Sequence, residues 1–184
     1  MQSLQDHFLI AMPAMADPNF NETVTYICKH DAEGAFGLVI TRPSDLSLGE
    51  MLGQLAIELK DRRLAERPVM HGGPVEPERG FVLHRSDTPF EATLAVGPEI
   101  KLTSSPDILA AIGLGYGPDP AFVALGYAGW GRGQLEAELS SNTWLTVPAN
   151  PVIIFDTPCV QRWTAALGLT CLGILRITLY AGHR

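Results

Sequence analysis

Phe122-Val123-Ala124-Leu125-Gly126-Tyr127-Ala128-Gly129-Trp130-Gly131-Arg132-Gly133-Gln134-Leu135-Glu136 is the segment on which the reading of this chain turns. Its first four residues are an unbroken apolar run stopped by a glycine, the pattern of a buried strand. Glycines at 126, 129, 131 and 133 then read as a loop, because glycine weakens strand interiors and marks turns or close backbone approach. Leu135 and Leu139 are spaced for a short helix behind it. A glycine-rich loop entering a helix lets main-chain amides approach an anion, with Arg132 to supply a charge. The segment lacks the Lys-Ser/Thr ending of a P-loop and the spacing of a dinucleotide fingerprint. Glu136 and Glu138 would also repel phosphate. The stronger alternative is a tight turn that docks Trp130.

On either side of this segment the chain reads mainly as short strands. Phe8–Ala11 is one. In Thr23–Cys28, Val24, Tyr26 and Cys28 share one face and Thr23, Thr25 and Ile27 the other. Leu38-Val39-Ile40 suits a strand buried on both faces, closed by Pro43. Val69–His71 and Phe81–His84 read as two strands joined through Gly72-Gly73-Pro74, and Thr93–Val96 with Ile100–Leu102 as a hairpin about Gly97-Pro98. Trp144–Val147 and Val152–Phe155 add two more.

Helices are inserted singly. Ser47 and Glu50 have capping-box spacing ahead of a stripe of Leu48, Met51, Leu52, Leu55 and Leu59. Ser105-Pro106 opens a second helix with Ile108, Leu109 and Ile112 toward the core. Thr157-Pro158 caps a last one carrying Val160, Trp163 and Leu167, with Gly168 as its stop. Strands in excess with unalternated helices predict an α+β fold. No linker divides the chain, so residues 1–184 are expected to form a single domain.

Composition limits the function. The chain has 184 residues, 46% hydrophobic and 18% charged, an ordinary globular balance large enough for a real core. The net charge of −7 disfavours binding to nucleic-acid phosphates. The basic cluster Lys60–Arg67 also contains Asp61 and Glu66 and reads as a solvated helix end. Three widely spaced cysteines, Cys28, Cys159 and Cys171, fit buried thiols in a reducing compartment. The start lacks the basic residues of a secretory signal. The apolar run Ala165–Leu175 is shorter than the ~20 residues that cross a bilayer. A soluble, cytoplasmic protein without membrane attachment is expected.

At this point the chain resembles the YqgE/AlgH family. The residues that carry the likeness run along nearly its whole length. They are Phe8–Pro13, Asp17, Phe20, Thr23-Val24, Gly34-Ala35, Gly37–Val39, Arg42-Pro43, Gly72–Val75, Gly80–His84, Leu125–Trp130, Gly133–Glu136, Asn142–Leu145 and Arg162-Trp163. Thr41 departs from the asparagine usual in the family, and Thr170–Tyr180 is more apolar than the family pattern. The resemblance implies an α+β fold with a bifurcated mixed sheet around a small β-barrel, flanked by helices. It implies no reaction, and the family's transcriptional-regulator label describes a phenotype.

Candidate chemistry is sparse. His71-Gly72-Gly73 has the look of an esterase oxyanion turn, but the Gly-x-Ser-x-Gly elbow that such chemistry requires is missing. His30, His71 and His84 would form a metal or acid–base group only if folding gathered them, and Cys28-x-His30 alone is a weak ligand pair. Gln134, Glu136 and Asn142 beside Trp130 and Trp144 could line a groove or satisfy helix ends. On a helix, Gln134 and Glu136 point to different faces. No catalytic residue, metal site or cofactor is assigned. The residues expected to touch a ligand are Gly72, Gly73, His84, Gly129, Trp130, Arg132, Gln134 and Glu136. The function expected is a small binding or regulatory domain acting through a protein or small-molecule partner. A hydrolase with its site near residues 72–75 and 126–133, or a direct nucleic-acid binder, is the alternative.

Overall fold

The computed structural model describes residues 2–170. Cys171 and the end of the apolar C-terminal run lie outside them. Ten strands, β1 (His7–Ala11), β2 (Val24–Asp31), β3 (Gly34–Val39), β4 (Pro43–Ser47), β5 (Pro68–His71), β6 (Val75–His84), β7 (Thr93–Ala95), β8 (Lys101–Thr103), β9 (Ala121–Gly131) and β10 (Trp144–Pro148), form one sheet. The helices are α1 (Leu48–Gln54), α2 (Asp107–Leu114), α3 (Gln134–Ser140) and α4 (Pro151–Phe155), followed by a helical run over 162–170.

The main path is β10-β1-β2-β3-β9-β6-β8-β7, with β4 and β5 branching from β9. Among the described residues only β5 pairs in parallel, with β9; the other pairings are antiparallel. The sheet is therefore mixed and forked, as the family resemblance implied. The barrel is realised in part: the sheet curls into a half-barrel, and its described path ends at β10 on one side and β7 on the other.

Strand β9 is the spine. Phe122 and Ala124 face the inner core, with Phe8, Ile10, Tyr26, Leu38, Phe81 and Leu83. Val123 and Leu125 face outward against α1 and α2, beside Leu52, Ile108 and Ile112. Beyond Gly126 the parity reverses. Tyr127 now packs against the inner core, while Ala128 and Trp130 face outward to α3. Gly126 absorbs the switch at φ +79, a conformation that costs glycine nothing and a larger residue about 1–2 kcal/mol.

Several expectations are corrected. Residues 126–131 are strand rather than loop: Tyr127 pairs with Val75 of β6, and 128–131 pair with β3, from Gly34↔Gly131 to Gly37↔Ala128. Gly72–Pro74 does not turn β5 back onto β6. The two strands lie on opposite sides of β9, and the glycines carry the chain across it. A Cβ on Gly72 would strike the Gly126 carbonyl, and one on Gly73 the Tyr127 main chain.

Val152–Phe155 is helix α4, not strand, because Asn150 caps it by accepting from the Val152 amide at 3.0 Å and Pro151 begins it. Ser47 caps α1 as expected, at 3.1 Å from the Glu50 amide, but that helix ends at Gln54. Ala56 takes φ +57, Leu55 is half exposed, and Leu59 lies past the end. Ser105 does not cap α2: its hydroxyl donates to Asp107 and accepts from the Ala92 amide. Thr157 likewise turns back to the Val152 carbonyl, Val160 is exposed, and Gly168 lies inside the last helical run. Thr41, the departure from the family, accepts from the Val24 amide at 3.3 Å.

Candidate functional site

Most of the residues singled out from the sequence meet on the outer face where α3 covers β9. Trp130 and Trp144 cross edge to face at 6.3 Å, with Phe20 against both rings. Glu138 joins the indoles: one of its oxygens accepts from Trp130 Nε1 at 2.9 Å and Trp144 Nε1 at 2.8 Å. Its other oxygen accepts from Gln134 Nε2 at 3.1 Å, while Gln134 Oε1 accepts from the Gly131 amide at 3.0 Å. Gln134 therefore caps the end of β9.

Glu136 points elsewhere, as its spacing from Gln134 requires. It accepts from His30 Nε2 at 2.7 Å. His30 Nδ1 accepts from the Leu4 amide at 2.9 Å, which fixes the neutral tautomer with its proton on Nε2. The bond from His30 holds the Glu136 carboxyl below the usual carboxylate range. Arg132 pairs with Glu33 at the surface. Each polar group here is satisfied by another, so the cluster reads as a structural knot. Gly129 has the Tyr127 ring lying along its open side, 3.4 Å from where a Cβ would stand.

The remaining candidates lie apart. Gly72 and Gly73 are buried at the crossing over β9. His84 is fully buried, its Nε2 2.7 Å from the Thr103 hydroxyl, and Phe90 packs edge-on at 5.6 Å. Among the described residues its Nδ1 has no partner. Burial, then the nearby Lys101, keeps its pKa below the ordinary histidine value. His71 is exposed at the end of β5, so His30, His71 and His84 are held in three different settings. Among the described residues no group of three or more His, Cys, Asp or Glu could hold a metal. Cys28 is buried, and burial pushes its thiol pKa upward; Cys159 is half buried.

The sequence reading missed a concavity on the outer face of the sheet. A cleft of about 470 Å³ lies between α1, α2 and the outer faces of β6 and β9. Met51, Leu55, Val82, Ile108, Leu109 and Leu125 supply apolar walls. Gln54, Glu78, Ser104 and Ser105 stand at its polar margin, and Gly80 forms part of its floor. None of the eight residues expected to touch a ligand lines it. Its signal in the sequence was faint: Leu55 and Leu109 continue helical apolar stripes past what the core covers. Among the described residues no helix is long and apolar enough to cross a membrane.

This geometry defines a class, a mixed α+β half-barrel with helices packed on its outer face. Comparison with known proteins is specific. The family pattern described as AlgH-like matches residues 8–173. A UPF0301 protein of Nitrosospira multiformis is 50% identical over 185 residues, spanning 100% of both chains. One from Pseudomonas paraeruginosa is 50% identical over 181 residues, 98% of this chain and 95% of its own. The solution structure of the AlgH protein from Pseudomonas aeruginosa superposes with a TM-score of 0.80 at 51% identity, covering 92% of each chain. A Corynebacterium diphtheriae protein of known crystal structure shares the fold at 19% identity and a TM-score of 0.69, over 89% of this chain and 85% of its own. The chain belongs to the AlgH-like family.

Proposed function

We propose that this protein is a small binding domain that acts through a partner, and that the α1–α2 cleft is where it binds. The observation that carries this is the cleft itself. Its volume, about 470 Å³, falls in the range of small-molecule sites, and apolar walls with a few polar groups at the margin are their usual lining. The ligand it fits is an apolar small molecule or the apolar face of a short partner segment, with Ser104 and Gln54 to fix its orientation. An indirect regulatory role in the cytoplasm is consistent with that chemistry. In the region near 126–133 that a hydrolytic or phosphate site would need, residues 128–131 lie in the ladder with β3 and the Gly131 amide is taken by Gln134, so the cleft is preferred to that region.

Gly80→Leu tests the proposal. A Cβ there would stand 3.8 Å from Leu125 and 4.0 Å from Met51, ordinary contact, so the longer side chain fills the cleft without striking main chain. Decanoate and indole, followed by amide chemical shifts, are the probes. The wild-type chain should bind at least one of them and Gly80→Leu should bind it at least tenfold more weakly. Equal binding by the two proteins would refute the assignment.

A further inference from the structure

A second groove, about 430 Å³, opens on the inner face of the curled sheet. Its floor is three rings in mutual contact. Phe36 lies 5.3 Å from Phe81 and 4.9 Å from Tyr127, and Phe81 lies 5.9 Å from Tyr127. Leu94 and Leu102 form the wall on the side of β7 and β8, and Lys29 and Arg79 stand at the rim. The Tyr127 ring lies along β9 beside Gly129, 3.4 Å from where a Cβ would stand.

Beside this floor is an open strand edge. Among the described residues the path ends at β7, which pairs only with β8. The Ser104 amide bonds the Ala92 carbonyl at 3.0 Å, and the Val96 amide bonds the Ile100 carbonyl at 3.0 Å. Hydrogen-bonded positions alternate in an antiparallel ladder, so Leu94 also faces β8 while the N–H and C=O groups of Thr93 and Ala95 point away from it. No described residue pairs with that outer edge. Two donor–acceptor pairs one strand repeat apart, roughly 6.8 Å, match the backbone of another extended chain.

We propose that this groove binds an extended peptide segment of a partner protein, added as a strand along the outer edge of β7. An aromatic side chain of the peptide lies on the Phe36–Phe81–Tyr127 floor, and an acidic side chain reaches Lys29. A peptide is favoured over a planar small molecule because only a repeating backbone answers both Thr93 and Ala95. The net charge of −7 works against a nucleic acid. Lys29 is available for a peptide carboxylate: among the described residues it pairs with Asp31 alone, at 3.6 Å, both groups exposed, and such pairs are weak. Arg79 is held over Phe81 at 5.3 Å and by Glu76 at 3.3 Å, and closes the other end. This site is separate from the α1–α2 cleft and stands or falls independently of it.

The test uses the full chain and a displayed library of random dodecapeptides. Selected peptides are synthesised and titrated against the wild type, Ala95→Pro and Phe36→Ala. Proline at 95 removes an outward N–H and leaves the β8 bonds intact, a position where edge strands tolerate it. Selected peptides should carry an aromatic and an acidic residue and bind Ala95→Pro and Phe36→Ala at least tenfold more weakly. A retained amide spectrum would show that both variants fold. In the free chain the Thr93 and Ala95 amides should exchange rapidly with solvent, and bound peptide should protect them. Three outcomes overturn the proposal: no peptide selected, unchanged affinity in both variants, or Thr93 and Ala95 already protected in the free chain. The last would mean that residues 171–184 or a second copy of the chain take the edge.

Discussion

Two regions of this sheet's outer face meet along strand β9 and do opposite things. Under α3, Trp130, Trp144, Glu138, Gln134, Glu136 and His30 satisfy one another. Under α1 and α2, ordinary leucines, valines and isoleucines leave a cleft of about 470 Å³. The residues that look chemical in the sequence are spent on holding the fold, and the space available to a ligand is lined by residues that look bland. Aromatic, charged and glycine-rich composition marks unusual local demands, and here those demands are geometric.

The contrast can be broken at the crossing over β9 first. Gly73→Ala puts a Cβ into the Tyr127 carbonyl group and the Ala128 nitrogen, main-chain atoms that cannot step aside. It should cost more than ~3 kcal/mol by chemical denaturation, or prevent folding. Gly133→Ala, also at positive φ but in open space, should cost only about 1 kcal/mol.

Next is Glu138→Ala, which strands two indole N–H groups on tryptophans that are 6% and 5% exposed. A loss of roughly 2–4 kcal/mol is expected, since each unsatisfied buried donor costs ~1–3 kcal/mol. Glu138→Gln keeps an acceptor and should lose clearly less. If the alanine variant were as stable as wild type, the knot would not be structural.

A smaller effect separates charge from contact. The folded-state pKa of Glu136 lies below its unfolded value, so its stabilisation is full above the unfolded value and fades as pH falls through the folded one. Glu136→Gln can still accept from His30 but carries no charge. Its stability should match wild type at low pH, fall slightly short at neutral pH, and so drop less between pH 6 and pH 3. Identical pH profiles would contradict the linkage. Smallest of all, Arg132→Ala removes an exposed ion pair and should change stability by at most ~1 kcal/mol.

Much of the strand order's raw material was legible. Phe8–Ala11, Thr23–Cys28 and Phe81–His84 announce themselves as apolar or alternating runs, and Ser47 marks a helix start. The strand over 126–131 was hidden because its alternation changes parity at Gly126, so the period-two signal breaks where the strand continues. α4 was hidden because a short apolar run such as Val152–Phe155 fits either element; Asn150-Pro151 was the signal that could have settled it. Glu138 was read only as a charge that repels phosphate, because its link between the indoles exists only once α3 folds onto β9 and β10. The cleft escaped because four elements distant in sequence build it, and none of its lining residues is unusual alone.

The most direct measurement is an amide chemical-shift titration of the full chain with decanoate and indole. Binding at the cleft predicts saturable shifts concentrated at Gly80, Leu109 and Leu125, with the α3 face unmoved. Shifts concentrated at residues 128–136, or none anywhere, would contradict the claim that this protein binds through the space between α1 and α2.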